Sequence, residues 1–129
     1  MNLINIIDNK TFLNELFVEG LTDKMLIGQA ELDVDGRFSL NFHTMQKPSK
    51  EITKWGKHGI DYDVIVITLI GSNITKLSIE NWRDISYAPI TLEKVDQLIR
   101  LTSSNENWAF TAEFESLGFQ RCSTYFHDR

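Results

Sequence analysis

The sequence has little of what disulfide-rich, secreted or membrane-spanning proteins need. Its 129 residues include a single cysteine, Cys122, which cannot form an internal disulfide, so a reducing compartment is favoured. The N-terminal run MNLINIIDNK has neither the basic start nor the long apolar stretch of a signal peptide. The most apolar run, 64–70, is far shorter than the roughly 20 residues of a spanning helix. We therefore expect a cytoplasmic protein that does not bind membranes.

Residue types that carry catalysis or metal binding are also sparse. His43, His58 and His127 are far apart in the sequence and form no His-x-x-x-His pair, so no zinc motif is present. Nothing in the sequence places a base beside Cys122, which favours a structural thiol over a nucleophile. These absences predict no catalytic residues, no metal, no cofactor and no enzymatic activity.

The charge balance is acidic. The formal net charge is −5, and four lysines within residues 46–60 make the rest of the chain more acidic still. An acidic surface disfavours nucleic-acid binding, which requires Lys and Arg to neutralise phosphates. It suits a basic protein partner, although acidity also simply keeps a protein soluble. We expect no nucleic-acid partner.

The first third of the chain predicts a helix followed by a hairpin. Apolar residues at helical spacing predict a short helix over 12–17, with Asn9 as its cap and Gly20 after its end. Two alternating runs flank Asp35-Gly36, and this tight-turn dipeptide predicts a β-hairpin over 26–43, with residues 26, 28, 30, 32 and 34 on the apolar face.

The middle of the chain predicts a long loop and a second hairpin. Residues 45–59 contain Pro48 and no clean period, so we interpret them as a loop pinned by Trp55. The β-branched run 64–70 predicts a buried strand, and Gly71-Ser72 predicts its turn into a shorter return strand through 79.

The pattern in the last third is ambiguous over 91–101. Its apolar residues fit a helix capped by Thr91 or a strand, and we favour a strand over 98–102 that leads into the alternating run 108–114. The predicted fold is therefore α+β, a single domain over 1–129 in which the N-terminal helix packs on one curved, mostly antiparallel sheet of six or seven strands.

Several segments together resemble a known family. They are the Phe/Leu-rich N-terminal helix, the hairpin AELDVDGRFSLNF, the loop ending in KW, the β-branched strand followed by LSIENW, and the ladder WAFTAEFESLGF. Over about residues 10–120 the chain resembles the bacterial polymorphic-toxin immunity proteins, especially the group numbered fifty. This resemblance implies a protein made beside a secreted toxin, often the C-terminal domain of a contact-dependent growth inhibition effector.

The resemblance also implies how such a protein acts. It binds the cognate toxin domain in the cytoplasm and inhibits it stoichiometrically, and many of these toxins are nucleases. Catalytic residues are not expected, and no binding residue can be carried over because immunity surfaces vary with their toxins. We expect the free protein to be a monomer.

Two groups of side chains are candidate partner-binding residues. Acidic pairs at i, i+2 spacing point to one face of a strand, and pairs that share a sheet face would attract a basic cleft. The acidic candidates are Glu31, Asp33, Asp61, Asp63, Glu113 and Glu115. Aromatic and arginine side chains near a strand end suit interface hot spots. The candidates there are Trp82, Arg83, Asp84 and Tyr87.

Other interpretations of the same residues stay open. Solvated strand faces produce acidic pairs by alternation alone, and paired carboxylates also suit a small enzyme or ligand-binding domain. A subunit that completes an assembly through an exposed strand edge is a further alternative. The lysine-rich loop with Trp55 offers phosphate contacts and a stacking ring, although a hydrophobic pin is the more usual role of such a tryptophan.

Overall fold

A computed structural model describes residues 1–128 of the protein. Within them, nine strands form two sheets, and one α-helix, α1 (Thr11–Leu16), lies near the N-terminus. The strands are β1 (Ile7–Asp8), β2 (Met25–Leu32), β3 (Phe38–Thr44), β4 (Val64–Ser72), β5 (Lys76–Glu80), β6 (Thr91–Val95), β7 (Leu98–Ser104), β8 (Ala109–Phe114) and β9 (Ser116–Tyr125). Short 3-10 helices lie at Leu3–Ile6, Val34–Gly36, Thr53–Trp55 and Trp82–Asp84.

The strands divide into a five-stranded and a four-stranded sheet. Their orders are β1-β9-β4-β3-β2 and β5-β8-β7-β6, and β1 is parallel to β9 whereas the other pairs are antiparallel. The predicted mixture of a helix with mostly antiparallel strands is confirmed. The prediction of a single sheet of six or seven strands is wrong, because β4 and β5 are neighbours in sequence but belong to different sheets.

Gly71-Ser72 is not a turn, and this explains the missing hairpin. Both residues lie within β4, where Gly71 pairs with Phe38 of β3. A Cβ on Gly71 would lie 2.1 Å from Cζ of Phe38, so glycine is needed here to make room for a ring. The chain leaves the sheet only at Asn73, which has a left-handed φ of 52°.

Both predicted strands around Asp35-Gly36 form, and they pair as expected. The β2–β3 register brings Leu32 opposite Phe38 across this turn, which confirms the first hairpin. The ambiguous segment 91–101 is also resolved, because β6 and β7 form an antiparallel pair there. The favoured strand over 98–102 is confirmed and extends to residue 104.

One hydrophobic core joins the two sheets and the helix. The Phe38 and Phe114 rings, from different sheets, have centroids 5.3 Å apart. Leu13 and Leu16 of α1 are fully buried, and Phe12 packs on Phe119 of β9, which confirms that the N-terminal helix covers a sheet. Asn9 does not cap this helix; its φ is 59° and the cap position falls on Lys10, so the predicted cap is wrong.

The long loop is pinned as predicted. The Trp55 ring meets those of Phe12 and Tyr62 edge-on, with centroids 6.1 and 6.0 Å away. Over residues 1–128, no helix is long and apolar enough to cross a membrane.

Candidate functional site on the outer face of the five-stranded sheet

The five-stranded sheet has one buried face and one open face. Along β3, Phe38, Leu40 and Phe42 are buried in the core, and the alternate residues Ser39, Asn41 and His43 point to the other side and are half-exposed. Because successive side chains alternate across a strand, neighbouring strands contribute to the same open face. We call this side the outer face.

A groove of about 680 Å³ runs along one half of the outer face. It is lined mainly by polar and charged side chains from β2, β3, β4 and β9. Those that bear on binding are Glu31, Asp33, Arg37, Thr68, Ile70 and Arg121. The groove can accept side chains of both charge signs, and its rim lies at the β2–β3 turn.

Apolar side chains protrude from the sheet beside this rim. Leu32, Val34 and Ile70 are 62%, 65% and 46% exposed. Asp33 accepts a hydrogen bond of 2.7 Å from the Val34 backbone N–H, which fixes the turn, and its 3.6 Å ion pair with Arg37 is solvent-exposed and therefore weak. This end of the hairpin thus carries exposed apolar side chains among acidic ones, with Ile70 on the outer face and Leu32, opposite Phe38, at the edge of the other face.

Glu115 belongs to the same end of the sheet. The Asn73 side-chain amide donates to its carboxylate over 3.4 Å, and the Ile74 backbone N–H donates to the Gly36 carbonyl over 2.9 Å. These contacts place the β2–β3 turn, the end of β4 and Glu115 side by side. We call the group the hairpin-tip surface; its members are Glu31, Leu32, Asp33, Val34, Asp35, Ile70 and Glu115.

The other predicted acids lie elsewhere. Glu113 is on the four-stranded sheet and accepts a 2.9 Å bond from Arg100. Asp61 and Asp63 precede β4 and are therefore at the end of that strand opposite to Glu115. The acidic pairs therefore do not form one continuous face. Asp33, Asp61, Asp63 and Glu115 lie outside the strands, so strand alternation does not place their side chains on a common side.

The second predicted group is divided between the two sheets. Trp82, Arg83 and Asp84 form a 3-10 helix in which the Trp82 ring, 37% exposed, has its centroid 6.4 Å from that of Phe110 on β8. Arg83 is almost fully exposed. Tyr87 instead contacts β9 of the five-stranded sheet, as described next.

A chain of hydrogen bonds links Tyr87, Tyr125 and His43 across the outer face. Burial raises the pKa of Tyr87 to about 12, and its bond with Tyr125 and the charge of Asp63 add to this. Burial also raises the pKa of Tyr125, although the bond with Tyr87 opposes the shift, which fits Tyr87 as donor and Tyr125 as acceptor. The Tyr125 hydroxyl lies 2.7 Å from His43 Nδ1 and can donate to it, which leaves His43 neutral.

Gly28 makes room for the His43 ring. It is the extra residue of a β-bulge between Ile27 and Gln29, and a Cβ there would lie 2.2 Å from His43 Nε2. Burial lowers the pKa of His43 below its ordinary 6.5. The site therefore holds a neutral imidazole near physiological pH.

The His43→Gln variant should show a weaker dependence of stability on pH. Because the folded pKa of His43 is below 6.5, the stability from its neutral form is present above pH 6.5 and is lost as the pH falls below 6.5. The Asp63 carboxylate nearby does not titrate in this range: burial alone would raise its pKa, but hydrogen bonds from His127 lower it below 3.8. Denaturant unfolding at pH 7 and pH 5 should therefore show a larger loss of stability in the wild type than in this variant.

His58→Gln is the matched control for that comparison, since this histidine lies in the loop and contacts the Met45 carbonyl. The control should behave as the wild type does. Equal losses in the wild type and His43→Gln would contradict the assigned protonation state.

Metal and thiol chemistry find no support among the described side chains. Over residues 1–128, no three His, Cys, Asp or Glu side chains gather closely enough to hold a metal ion. Burial raises the pKa of Cys122 to about 12, so its thiol is protonated at neutral pH and is a poor nucleophile.

Sequence reasoning missed His43, Tyr125, Asp35 and the exposed apolar residues of the hairpin tip. Asp35 carries a signal, since it belongs to the turn dipeptide. His43 and Tyr125 are 82 residues apart, and only the strand order β9-β4-β3 brings them together. No family model matches this chain, and no curated protein or solved structure matches it either.

Proposed function

We propose that the protein is a non-enzymatic immunity protein that binds and neutralises a cognate toxin domain in the bacterial cytoplasm through the hairpin-tip surface. The observation that carries the proposal is the presence of three exposed apolar side chains, Leu32, Val34 and Ile70, at the acidic end of the hairpin. The family resemblance of the sequence supplies the class of partner. In this proposal the free protein is a monomer.

The exposed apolar side chains supply the part of the surface that loses water on binding. Leu32 ends β2, Val34 lies in the β2–β3 turn and Ile70 lies on β4. Exposed apolar side chains that are grouped and bordered by polar residues are typical of interaction sites, whereas single ones are common on any surface. Burying them would give a partner its main hydrophobic contact.

The acidic residues of the hairpin-tip surface specify the charge of the partner. They are Glu31, Asp33, Asp35 and Glu115, with Arg37 as a cation that partly offsets them. Opposite potentials accelerate encounter and reject partners of the same sign. A toxin that cleaves nucleic acid must itself present Lys and Arg to phosphates, so its cleft is complementary to this surface.

The double variant Glu31→Lys/Glu115→Lys should bind the toxin domain at least about tenfold more weakly, chiefly through slower association. The toxin domain is the C-terminal part of the secreted protein encoded beside this chain. Binding kinetics over a salt series should also show a shallower salt dependence in the variant, because two attractive charges have become repulsive.

Glu19→Lys/Glu106→Lys is the matched control, since both side chains are exposed and lie outside the hairpin-tip surface. It changes the net charge equally and should retain nearly all of the affinity. Equal effects in the two double variants would show that only the overall charge matters and would contradict the assignment of the surface. The alternatives of a small enzyme or ligand-binding domain and of an assembly subunit stay predictions.

A further inference from the structure

Most of strand β9 has an open edge. On that side, β1 pairs only with Leu117 and Gly118. In the part of the chain that the structure describes, Phe119 and residues 121–125 pair with β4 alone, and Gln120 is the extra residue where the β4–β9 register shifts. Asn9, with its φ of 59°, turns the chain off the sheet after β1 and into α1. Beyond β1, this edge of β9 therefore pairs with no other strand of the described residues.

A small groove lies beside this edge. Its volume is about 250 Å³, and the rings of Phe12, Trp55 and Phe119 line it together with Ile52 and Cys122. The Phe12 ring packs on the other two rings, with centroids 5.8 Å from Phe119 and 6.1 Å from Trp55. These rings form an apolar pocket that can hold one side chain of a segment that binds along the edge.

The groove has a basic rim in an acidic protein. Lys54 and Arg121 line it, both are exposed, and neither forms an ion pair with another described residue. Lys47, Lys50 and Lys57 lie in the same loop as Lys54, where Glu51 offsets one charge and Lys50 pairs with Glu15 over 3.2 Å. In a chain with a net charge of −5, the two cations at this groove favour an anionic partner.

We propose that the open edge of β9 binds an extended acidic peptide segment as an added strand. The backbone of the segment pairs with residues 119–125, one apolar side chain enters the groove, and neighbouring carboxylates meet Lys54 and Arg121. Strand addition to an exposed edge supplies affinity from main-chain bonds and specificity from side-chain pockets. The site carries the opposite charge to the hairpin-tip surface and is separate from toxin binding.

Selection of linear 12-residue peptides from a displayed library against the purified protein tests this site. We expect enriched peptides that carry Asp or Glu around one apolar residue. Lys54→Glu/Arg121→Glu should weaken their binding at least about tenfold, whereas the control Lys76→Glu/Lys94→Glu on the four-stranded sheet should not. In an added strand, every second backbone N–H of the peptide faces β9. N-methylation of those amides in the best peptide should abolish binding, and N-methylation of the amides that face away should not.

Four results would overturn the proposal. They are no enrichment over a blank matrix, enrichment without acidic residues, equal binding by the two double variants, and full binding by both methylated peptides. Binding of a 12-nucleotide oligothymidylate that depends on Lys54 and Arg121, without acidic peptides, would instead assign the edge to single-stranded nucleic acid. Toxin binding by the single variant Lys54→Glu should be retained, because Lys54 does not line the groove on the outer face, and this separates the test from that of the proposed function.

Discussion

Phe114→Ala should lower the free energy of unfolding by about 3–5 kcal/mol, the range for removing a buried phenylalanine ring. Phe114 is fully buried on β8 of the four-stranded sheet, and its ring contacts that of Phe38 on the five-stranded sheet. The substitution would leave a cavity where the two sheets meet, and packed side chains on both sides would lose contacts. Urea unfolding followed by circular dichroism measures the change.

Thr111→Ala provides the control, because Thr111 lies on the same strand and faces the opposite side, where it is half-exposed. It should change the free energy of unfolding by no more than about 0.5 kcal/mol. Similar small effects at both positions would contradict a core between the two sheets.

Gly71→Ala should destabilise the protein by about 1–3 kcal/mol, the usual effect of forcing extra volume into a packed core. The added methyl would lie 2.1 Å from Cζ of Phe38, whose ring is buried and already packs against Phe114. The ring cannot move aside without disturbing the core. Thermal and urea unfolding of the purified variant measure the loss.

Gly118→Ala is the matched control for Gly71→Ala. Gly118 lies on β9 opposite Ile70, the residue before Gly71, and a Cβ there would have its nearest neighbour at 3.7 Å. This variant should be neutral or slightly stabilising, since alanine loses less conformational entropy than glycine on folding. A tolerated Gly71→Ala would show that Phe38 does not occupy the space above Gly71.

Local turn chemistry was readable from the sequence, whereas the assignment of strands to sheets was not. Asp35-Gly36 predicts the β2–β3 turn because its glycine has the positive φ that a tight turn needs. Gly71 suggests a turn for the same reason, but in the structure it allows the Phe38 ring to pack closely against the backbone. The two uses of glycine look alike in sequence, so the crossing from β4 to the other sheet could not be predicted.

The bulge at Gly28 explains why the predicted apolar face of β2 was only half right. Alternation places residues 26, 28, 30, 32 and 34 on the buried face, and the register does put Ala30 and Leu32 opposite the buried Leu40 and Phe38. Before the bulge the buried residues are instead Met25 and Ile27, because one extra residue exchanges the two faces of a strand. Leu32 is nevertheless 62% exposed, since it lies at the end of an edge strand. Glu31, Asp33 and Glu115 of the tip were found because charge does not depend on register, whereas Asp35 was interpreted only as part of the turn.

Co-expression of the toxin domain with this protein in bacteria, followed by growth, is the most direct test of the proposed function. We expect the toxin domain alone to stop growth, and the wild type and Glu19→Lys/Glu106→Lys to restore it. Glu31→Lys/Glu115→Lys combined with Leu32→Ala should fail to restore growth while accumulating as a folded protein. A toxic domain that the wild-type protein neither binds nor neutralises would contradict the proposal.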